Sequence, residues 1–144
     1  MTSNESPAED RFLGFAVGQW AEHRKTVTES DVELYAGITG DFNPVHMDAV
    51  AAAASSFRGR IAHGMLTAGF ISAALAMKLP GPGAVYLSQT LQFLRPVRIG
   101  DLVVARVEIT EVLPEHRQLR LSTRCLNAKG KVVVDGEAMV VVPA

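Results

Sequence analysis

The segment from Gly64 to about Leu79 restricts the possible folds of this chain more than any other stretch. Read as a helix, it carries large apolar side chains over much of its circumference, separated by small residues; the large ones are Met65, Leu66, Phe70, Ile71, Leu75 and Leu79. A helix that is apolar on nearly every side has to be enclosed by other parts of the fold. The segment is also shorter than the roughly 20 residues of a membrane span. We therefore interpret it as a buried core helix.

Segments with strand character follow this helix. The turn Pro80-Gly81-Pro82-Gly83 ends the helix, and the strand segments then cover residues 84–94, 102–113, 118–127 and 131–142. Within 102–113, apolar and polar side chains alternate with the period of two that is typical of a half-buried strand. A strand near residues 20–27 and two helices, opened by Thr28 and Asp48, precede the core helix. The sequence predicts an α+β protein in which an antiparallel sheet curls around one long helix.

The length and composition indicate one globular domain without a strong charge bias. We expect residues 1–10, MTSNESPAED, to form a disordered polar tail and residues 11–144 to form a single domain. The formal net charge of −1 gives no electrostatic reason to expect binding to nucleic acid or to an anionic membrane. Cys125 is the single cysteine, so no intramolecular disulfide can form, and a reducing cytoplasm is the simplest location.

The stretch GITGDFNPVHMDAV, residues 37–50, is the first candidate functional site. Asp41, Asn43, Pro44 and His46 are poor residues for helix interiors and strands, which predicts a loop of defined shape. Pro44 narrows its own φ and keeps Asn43 out of the α region, so the chain can fold back and bring the Asp41 carboxylate and the His46 imidazole together. An acid and a base around one water can hydrate a double bond. The alternative is that Asp41 caps a turn and His46 satisfies backbone groups.

A second candidate site lies at the start of the core helix. Gly64 lets a ligand approach the backbone, and the free N–H groups of the helix N-terminus can bind a carbonyl oxygen that becomes negative, as an oxyanion hole does. Alternatively, Gly64 eases a tight turn and His63 is a buried, hydrogen-bonded residue. Ser72, a little over two turns further on, can reach a site group or bond its own helix carbonyl.

These motifs together resemble one enzyme family. The segments YAGITGDFNPVH (Tyr35 to His46), IAHGMLT (Ile61 to Thr67) and LPGPGAVYLSQTLQFLRPVRIGDLV resemble the (R)-specific enoyl-CoA hydratases, or hydratase 2, within the MaoC-like dehydratases. The resemblance covers nearly the whole chain after the tail. It implies a hot-dog fold, in which an antiparallel sheet wraps around a long central helix, in agreement with the pattern of helices and strands.

The resemblance also implies a role for each motif residue. Asp41 and His46 correspond to the catalytic pair, and Gly64 to the glycine whose N–H binds the thioester oxygen. Ser72 matches an auxiliary serine of some members, and Asn43 matches the motif asparagine, with a loop-shaping or polar support role. Apart from the resemblance, we expect His63, next to Gly64, to be a further auxiliary residue. The implied reaction is reversible syn addition of water to a trans-2-enoyl thioester, which gives an (R)-3-hydroxyacyl thioester.

The implied reaction needs no metal and no redox cofactor, in keeping with the lack of a cysteine cluster or a Rossmann fingerprint in the sequence. A homodimer or a dimer-based oligomer is expected, both from the resemblance and because a small open sheet with the apolar strand 131–142 has edges to protect. Two alternatives remain open at this point. One is a (3R)-hydroxyacyl dehydratase acting on acyl carrier protein thioesters, and the other is an acyl-CoA-binding module without turnover; a hot-dog thioesterase fits the motif less well.

Overall fold

The computed structural model describes residues 11–143, so the predicted tail over residues 1–10 lies outside the described residues. Short strands β1 and β2 form a small hairpin at the start of the described chain. The strands are β1 Arg11–Phe12, β2 Phe15–Ala16, β3 Trp20–Thr26, β4 Val85–Phe93, β5 Leu102–Leu113, β6 Gln118–Leu126 and β7 Val132–Val141, and the helices are α1 Glu29–Thr39, α2 Pro44–Met47, α3 Ala49–Ala54 and α4 Gly64–Met77.

A five-stranded antiparallel sheet in the order β3-β5-β6-β7-β4 packs against the long helix α4. This confirms the predicted core helix and each predicted strand of the sheet, with ends within one or two residues of those expected. The sheet is open, as expected, but the apolar strand at 131–142, β7, is not one of its edges, because it lies between β6 and β4. The open edges are β3 and β4 instead, and a continuous apolar run such as β7 suits an interior strand.

The core lies between α4 and the concave face of the sheet. On β5, the inward side chains Val103, Ala105, Val107 and Ile109 are fully or almost fully buried, as the alternation predicted. Cys125 of β6 is also buried, and burial raises the pKa of its thiol to about 12. Within the described part of the chain, no helix has both the length and the apolar character needed to cross a membrane.

The helices between β3 and α4 begin and end at residues suited to helix ends. Thr28 caps α1 in a capping box with Asp31, and Gly40 ends that helix with a φ of 86°, which glycine adopts without strain. Asp48 caps α3, as predicted. The prediction that the stretch around Pro44 is a loop throughout was wrong, since Pro44–Met47 forms the one-turn helix α2. Proline is well suited to the first position of a helix, where no N–H is needed.

Candidate active site

A cavity of about 480 Å³ opens beside the N-terminus of α4. Asp41, His46, His63 and Gly64 line it, together with apolar side chains that include Phe57 and Phe93. Asp41 and Phe93 are more than 50 positions apart in the sequence, and the sheet and the short helices bring them to one place. The cavity is therefore the location at which the two predicted candidate sites meet.

The turn between Asp41 and His46 is held by its own side chains. A carboxylate oxygen of Asp41 accepts a hydrogen bond from the backbone N–H of Asn43 at 3.2 Å. The Asn43 side-chain oxygen accepts one from the N–H of Val45 at 3.3 Å and caps α2. Asn43 has a ψ of 127°, outside the α region, as expected of a residue before proline. The loop-shaping position of Asn43 follows from these contacts.

His46 is held in one tautomer by the backbone. Its Nδ1 lies 2.8 Å from the carbonyl oxygen of Ile61, which can only accept, so Nδ1 carries the proton. The Nε2 of the neutral ring is then a hydrogen-bond acceptor and a base. Arg60 donates from Nε to the backbone carbonyl of His46 at 2.7 Å and forms an ion pair with Glu29, which ties α2 to α1.

His63 is buried between the other two polar residues of the cavity, with 2% of its surface exposed. Its Nε2 donates to the backbone carbonyl oxygen of Asp41 at 2.9 Å. Its ring packs against that of His46, with centroids 4.0 Å apart, and against Tyr35 at 4.5 Å. The Nδ1 of His63 and the hydroxyl of Thr67 are buried without a hydrogen-bond partner among the described residues. His63 is thus a buried, hydrogen-bonded residue, as the alternative interpretation of the sequence expected. It is also a direct neighbour of Asp41 and His46.

Asp41, His46 and His63 each bring one ligand-type atom to within 4.8 Å of the others. Asp41 is exposed to solvent, His46 is half-buried and His63 is buried, so water reaches one side of the group. Two arrangements suit such a group chemically. One is a water molecule held between a carboxylate and an imidazole, and the other is a divalent metal ion, which two imidazoles and a carboxylate can bind.

Gly64 is the first residue of α4, where the backbone N–H has no acceptor within the helix. A Cβ at this position would lie 2.8 Å from the Cδ1 and Cε1 atoms of the Phe93 ring, closer than real contacts allow. Glycine therefore leaves the N–H at the helix end open while an aromatic ring packs beside it. This geometry is suited to a carbonyl oxygen that approaches from the cavity.

Ser72 does not join the other predicted residues at the cavity. It lines a separate groove of about 410 Å³ between α4 and β4, together with Gln89 and Tyr86, whose pKa burial raises to about 12. Met65 lines both the groove and the cavity, so the two adjoin along α4. Sequence reasoning did not identify Tyr35 or Phe93 as cavity residues. Tyr35 lies within the motif that begins at residue 35, which was the one available signal for it.

The fold and the cavity together define a hot-dog protein with a carboxylate and an imidazole at the N-terminus of its central helix. The model of the MaoC like domain matches residues 16–130. The chain therefore belongs to the MaoC-like domain family, and the hot-dog fold expected from the sequence is confirmed.

Relatives of known name agree with this family. The chain is 53% identical to an (R)-specific enoyl-CoA hydratase of Rhodospirillum rubrum, over 88% of this chain and 88% of the relative. It is 54% identical to a 3-hydroxybutyryl-CoA dehydratase of Methylorubrum extorquens, over 92% of this chain and 83% of the relative. Among solved structures, an R-hydratase of Pseudomonas aeruginosa in the unliganded form superposes with a TM-score of 0.86 at 50% identity, over 90% of this chain and 83% of that chain.

Proposed function

We propose that this protein is an (R)-specific enoyl-CoA hydratase, a hydro-lyase that adds water reversibly and syn to trans-2-enoyl-CoA to give (R)-3-hydroxyacyl-CoA. The observation that carries the proposal is the approach of Asp41 and His46 to each other in a cavity that also contains the N-terminus of α4 at Gly64. An acid–base pair and an oxyanion-binding N–H are the two parts that this reaction needs.

Asp41 and His46 hold the water that attacks C3 of the enoyl group. The pair takes one proton from the water as its oxygen bonds to C3, and the electrons of the double bond move onto the thioester as an enolate. The pair then returns a proton to C2 on the same face, which gives syn addition. His46 suits this task because its Nδ1–H is bound to the carbonyl of Ile61, leaving Nε2 as the basic atom.

Gly64 binds the thioester oxygen as negative charge develops on it. Its backbone N–H stands at the positive end of α4, a helix of 14 residues, so the helix dipole and the hydrogen bond act in the same direction. Phe93 and the other apolar side chains of the cavity restrict water around the thioester, which strengthens this interaction.

Three auxiliary residues support the pair. Asn43 shapes the turn through its N–H, which donates to the Asp41 carboxylate, and through its side chain, which accepts from the first turn of α2. His63 positions both catalytic residues through its contacts with Asp41 and His46. Ser72 belongs to the adjoining groove, so its contribution is to the acyl side of the substrate and is smaller than that of the pair.

The protein works as a homodimer, and residues 11–144 act as one domain in it. Support comes from the open edge strand β4, where Val85, Tyr86, Leu87 and Phe93 are between 40% and 54% exposed. A second β4 would pair with this edge and cover these side chains.

The buried, free Cys125 is consistent with a location in the reducing cytoplasm.

The first experiment is to follow the loss of the enoyl-thioester absorbance when the protein is mixed with crotonyl-CoA. The product is then offered to an (R)-specific and, separately, to an (S)-specific 3-hydroxyacyl-CoA dehydrogenase. Turnover with oxidation by the (R)-specific enzyme supports the proposal. Turnover of the carrier-protein thioester alone would indicate the dehydratase of fatty acid synthesis, and binding of acyl-CoA without turnover would indicate a binding module.

A further inference from the structure

The arginines around the mouth of the cavity differ from most others in the described chain. Five arginines elsewhere have a carboxylate within 4.0 Å: Arg24, Arg60, Arg106, Arg120 and Arg124. Arg58, Arg95 and Arg98 form no ion pair with any described carboxylate. In a chain of net charge −1, three positive charges without acidic partners at one opening form a local anion-attracting surface.

Two connecting segments place these arginines at the mouth. Arg95 itself lines the cavity. Arg98 pairs with Ile61 in a β-bridge, and its guanidinium donates to the backbone carbonyl of Phe57; both partners line the cavity. Arg58 follows Phe57 directly and is exposed to solvent.

The guanidinium groups of Arg95 and Arg98 are held but not saturated. Each donates to one backbone carbonyl, that of Val132 for Arg95 and that of Phe57 for Arg98, and a guanidinium has five N–H donors. Asp101 is a nearby acid, but it accepts from the backbone N–H of Arg98 at 2.9 Å and forms no ion pair with the guanidinium. Held guanidinium forks with free N–H groups match phosphate oxygens better than flexible lysines do.

We propose that Arg58, Arg95 and Arg98 form a binding rim for the phosphates of coenzyme A, its 3′-phosphate and its pyrophosphate. The inference rests on the proposed function. While the thioester lies between Asp41 and Gly64, the phosphates at the other end of the pantetheine arm lie on this rim. The rim favours CoA thioesters because coenzyme A presents several phosphate charges, whereas a carrier-protein thioester presents a single phosphodiester.

The test compares two substrates with the same thioester and pantetheine arm: crotonyl-CoA, which also carries the 3′-phosphorylated adenosine diphosphate, and crotonyl-pantetheine, which lacks that group. For Arg95→Ala, Arg98→Ala and Arg58→Ala, we expect kcat/KM on crotonyl-CoA to fall by roughly three- to tenfold each, chiefly through KM. We expect kcat/KM on crotonyl-pantetheine to stay within about twofold of the wild type, because no phosphate contact is lost. Lys78→Ala removes an exposed cation at the C-terminal end of α4, the end away from the cavity, and is the matched control, which should change neither value.

Three results would contradict the proposal that the arginine rim binds the phosphates of coenzyme A. The first is an equal loss on both substrates, which would indicate a structural effect on the cavity. The second is no loss on either, which would place the phosphates elsewhere. The third is a larger loss on a crotonyl carrier-protein thioester than on crotonyl-CoA, which would make the arginines a carrier-protein contact.

A binding measurement keeps the rim separate from the proposed function. Calorimetry with coenzyme A and with dephospho-coenzyme A needs no turnover, so it remains decisive even if crotonyl-pantetheine is not hydrated and the proposed function fails. Weaker binding of coenzyme A to the triple alanine variant, by about tenfold or more, supports the rim. Unchanged binding contradicts it.

Discussion

The imidazole of His63 donates a hydrogen bond to the backbone carbonyl oxygen of Asp41 across 2.9 Å, although 22 positions separate the two residues. The same ring packs on that of His46 with centroids 4.0 Å apart. Because a backbone carbonyl only accepts, the contact also determines the tautomer of His63, with the proton on Nε2. One buried side chain therefore contacts both members of the proposed pair, the backbone of Asp41 and the ring of His46.

The two contacts of His63 can be removed one at a time. His63→Gln retains an N–H donor for the Asp41 carbonyl but loses the ring, and His63→Phe retains a ring against His46 but loses the donor. If the hydrogen bond sets the geometry, His63→Phe lowers kcat by roughly 10- to 100-fold with little change in KM, and His63→Gln recovers most of that loss. Steady-state kinetics on crotonyl-CoA measures both.

A purely structural role for His63 would give a different result. It would lower the thermal midpoint of both variants and reduce the fraction of active protein without changing kcat per active site. The backbone amide chemical shifts around Asp41 give an independent readout, and they should change more in His63→Phe, where the hydrogen bond to the Asp41 carbonyl is lost. Equal kcat values for His63→Phe and the wild type would refute the positioning role.

The proposed catalytic pair makes the strongest prediction about rate. Asp41→Asn and His46→Ala should each lower kcat by at least ~10²-fold, the scale of general acid–base catalysis, with the fold intact by circular dichroism. Ser72→Ala on α4 is the comparator, and it should lower kcat much less because Ser72 lines the adjoining groove and not the cavity of the pair. Wild-type activity in Asp41→Asn or in His46→Ala would rule out the assignment.

Gly64 is predicted to tolerate no side chain without a loss of activity. In Gly64→Ala, the new methyl group would lie 2.8 Å from the Phe93 ring, so this ring in the cavity wall would have to move. Since Phe93 is 52% exposed, its ring can turn aside, so we expect less than about 1 kcal/mol loss of unfolding free energy but at least ~10-fold loss of kcat/KM. The double variant Gly64→Ala with Phe93→Ala should recover part of the activity. If it does not, the loss comes from a change around the backbone N–H of residue 64 and not from the displaced ring.

Much of the fold was predictable because local signals and the global pattern agree. The capping box at Thr28, the turn after α4 and the alternation in β5 each specify an element, and the structure contains all three. The position of β7 in the sheet was not predictable, because strand order depends on which faces pack together and not on the strand's own sequence. The helix at Pro44 was missed because the same residues that avoid helix interiors are suited to a helix start.

The candidate site was predictable as a list of residues more than as an arrangement. The motif gave Asp41, His46 and Gly64, and the structure brings them to one cavity. The stack of His63 on His46 and the packing of Phe93 beside Gly64 join residues far apart in sequence, so no local pattern encodes them. Ser72 was grouped with the pair through helical spacing, but spacing on one helix does not show which neighbouring strand shares its groove.

The capping box of α1 gives a prediction about pH and stability. Burial alone would raise the pKa of Asp31, but hydrogen bonds from Lys25 and Thr28 outweigh it and hold the pKa below the ordinary value of 3.8. Ionised Asp31 thus stabilises the fold fully above pH 3.8, and this stabilisation is lost as pH falls through its lower folded-state pKa. Asp31→Asn should lower the free energy of unfolding at pH 7 by less than about 1 kcal/mol, measured from the shift of the urea midpoint. The difference from the wild type should become smaller at acid pH.

The control for Asp31 is Glu33→Gln, which removes an exposed carboxylate of the same helix that has no ion pair among the described residues. Its effect on the urea midpoint should be smaller at pH 7. A difference between Asp31→Asn and the wild type that persists unchanged well below pH 3.8 would mean that the carboxylate charge is not the source of the stability.

Removal of metal ions distinguishes the two chemical uses of the group formed by Asp41, His46 and His63. If the group activates a water by acid–base chemistry, dialysis against a strong chelator leaves kcat unchanged, because no step needs a Lewis acid. Metal analysis of the purified protein by mass spectrometry, before and after dialysis, accompanies the rate measurement. Loss of activity on chelation that returns with one divalent ion per chain would instead assign the reaction to a metal-bound water held by these three residues.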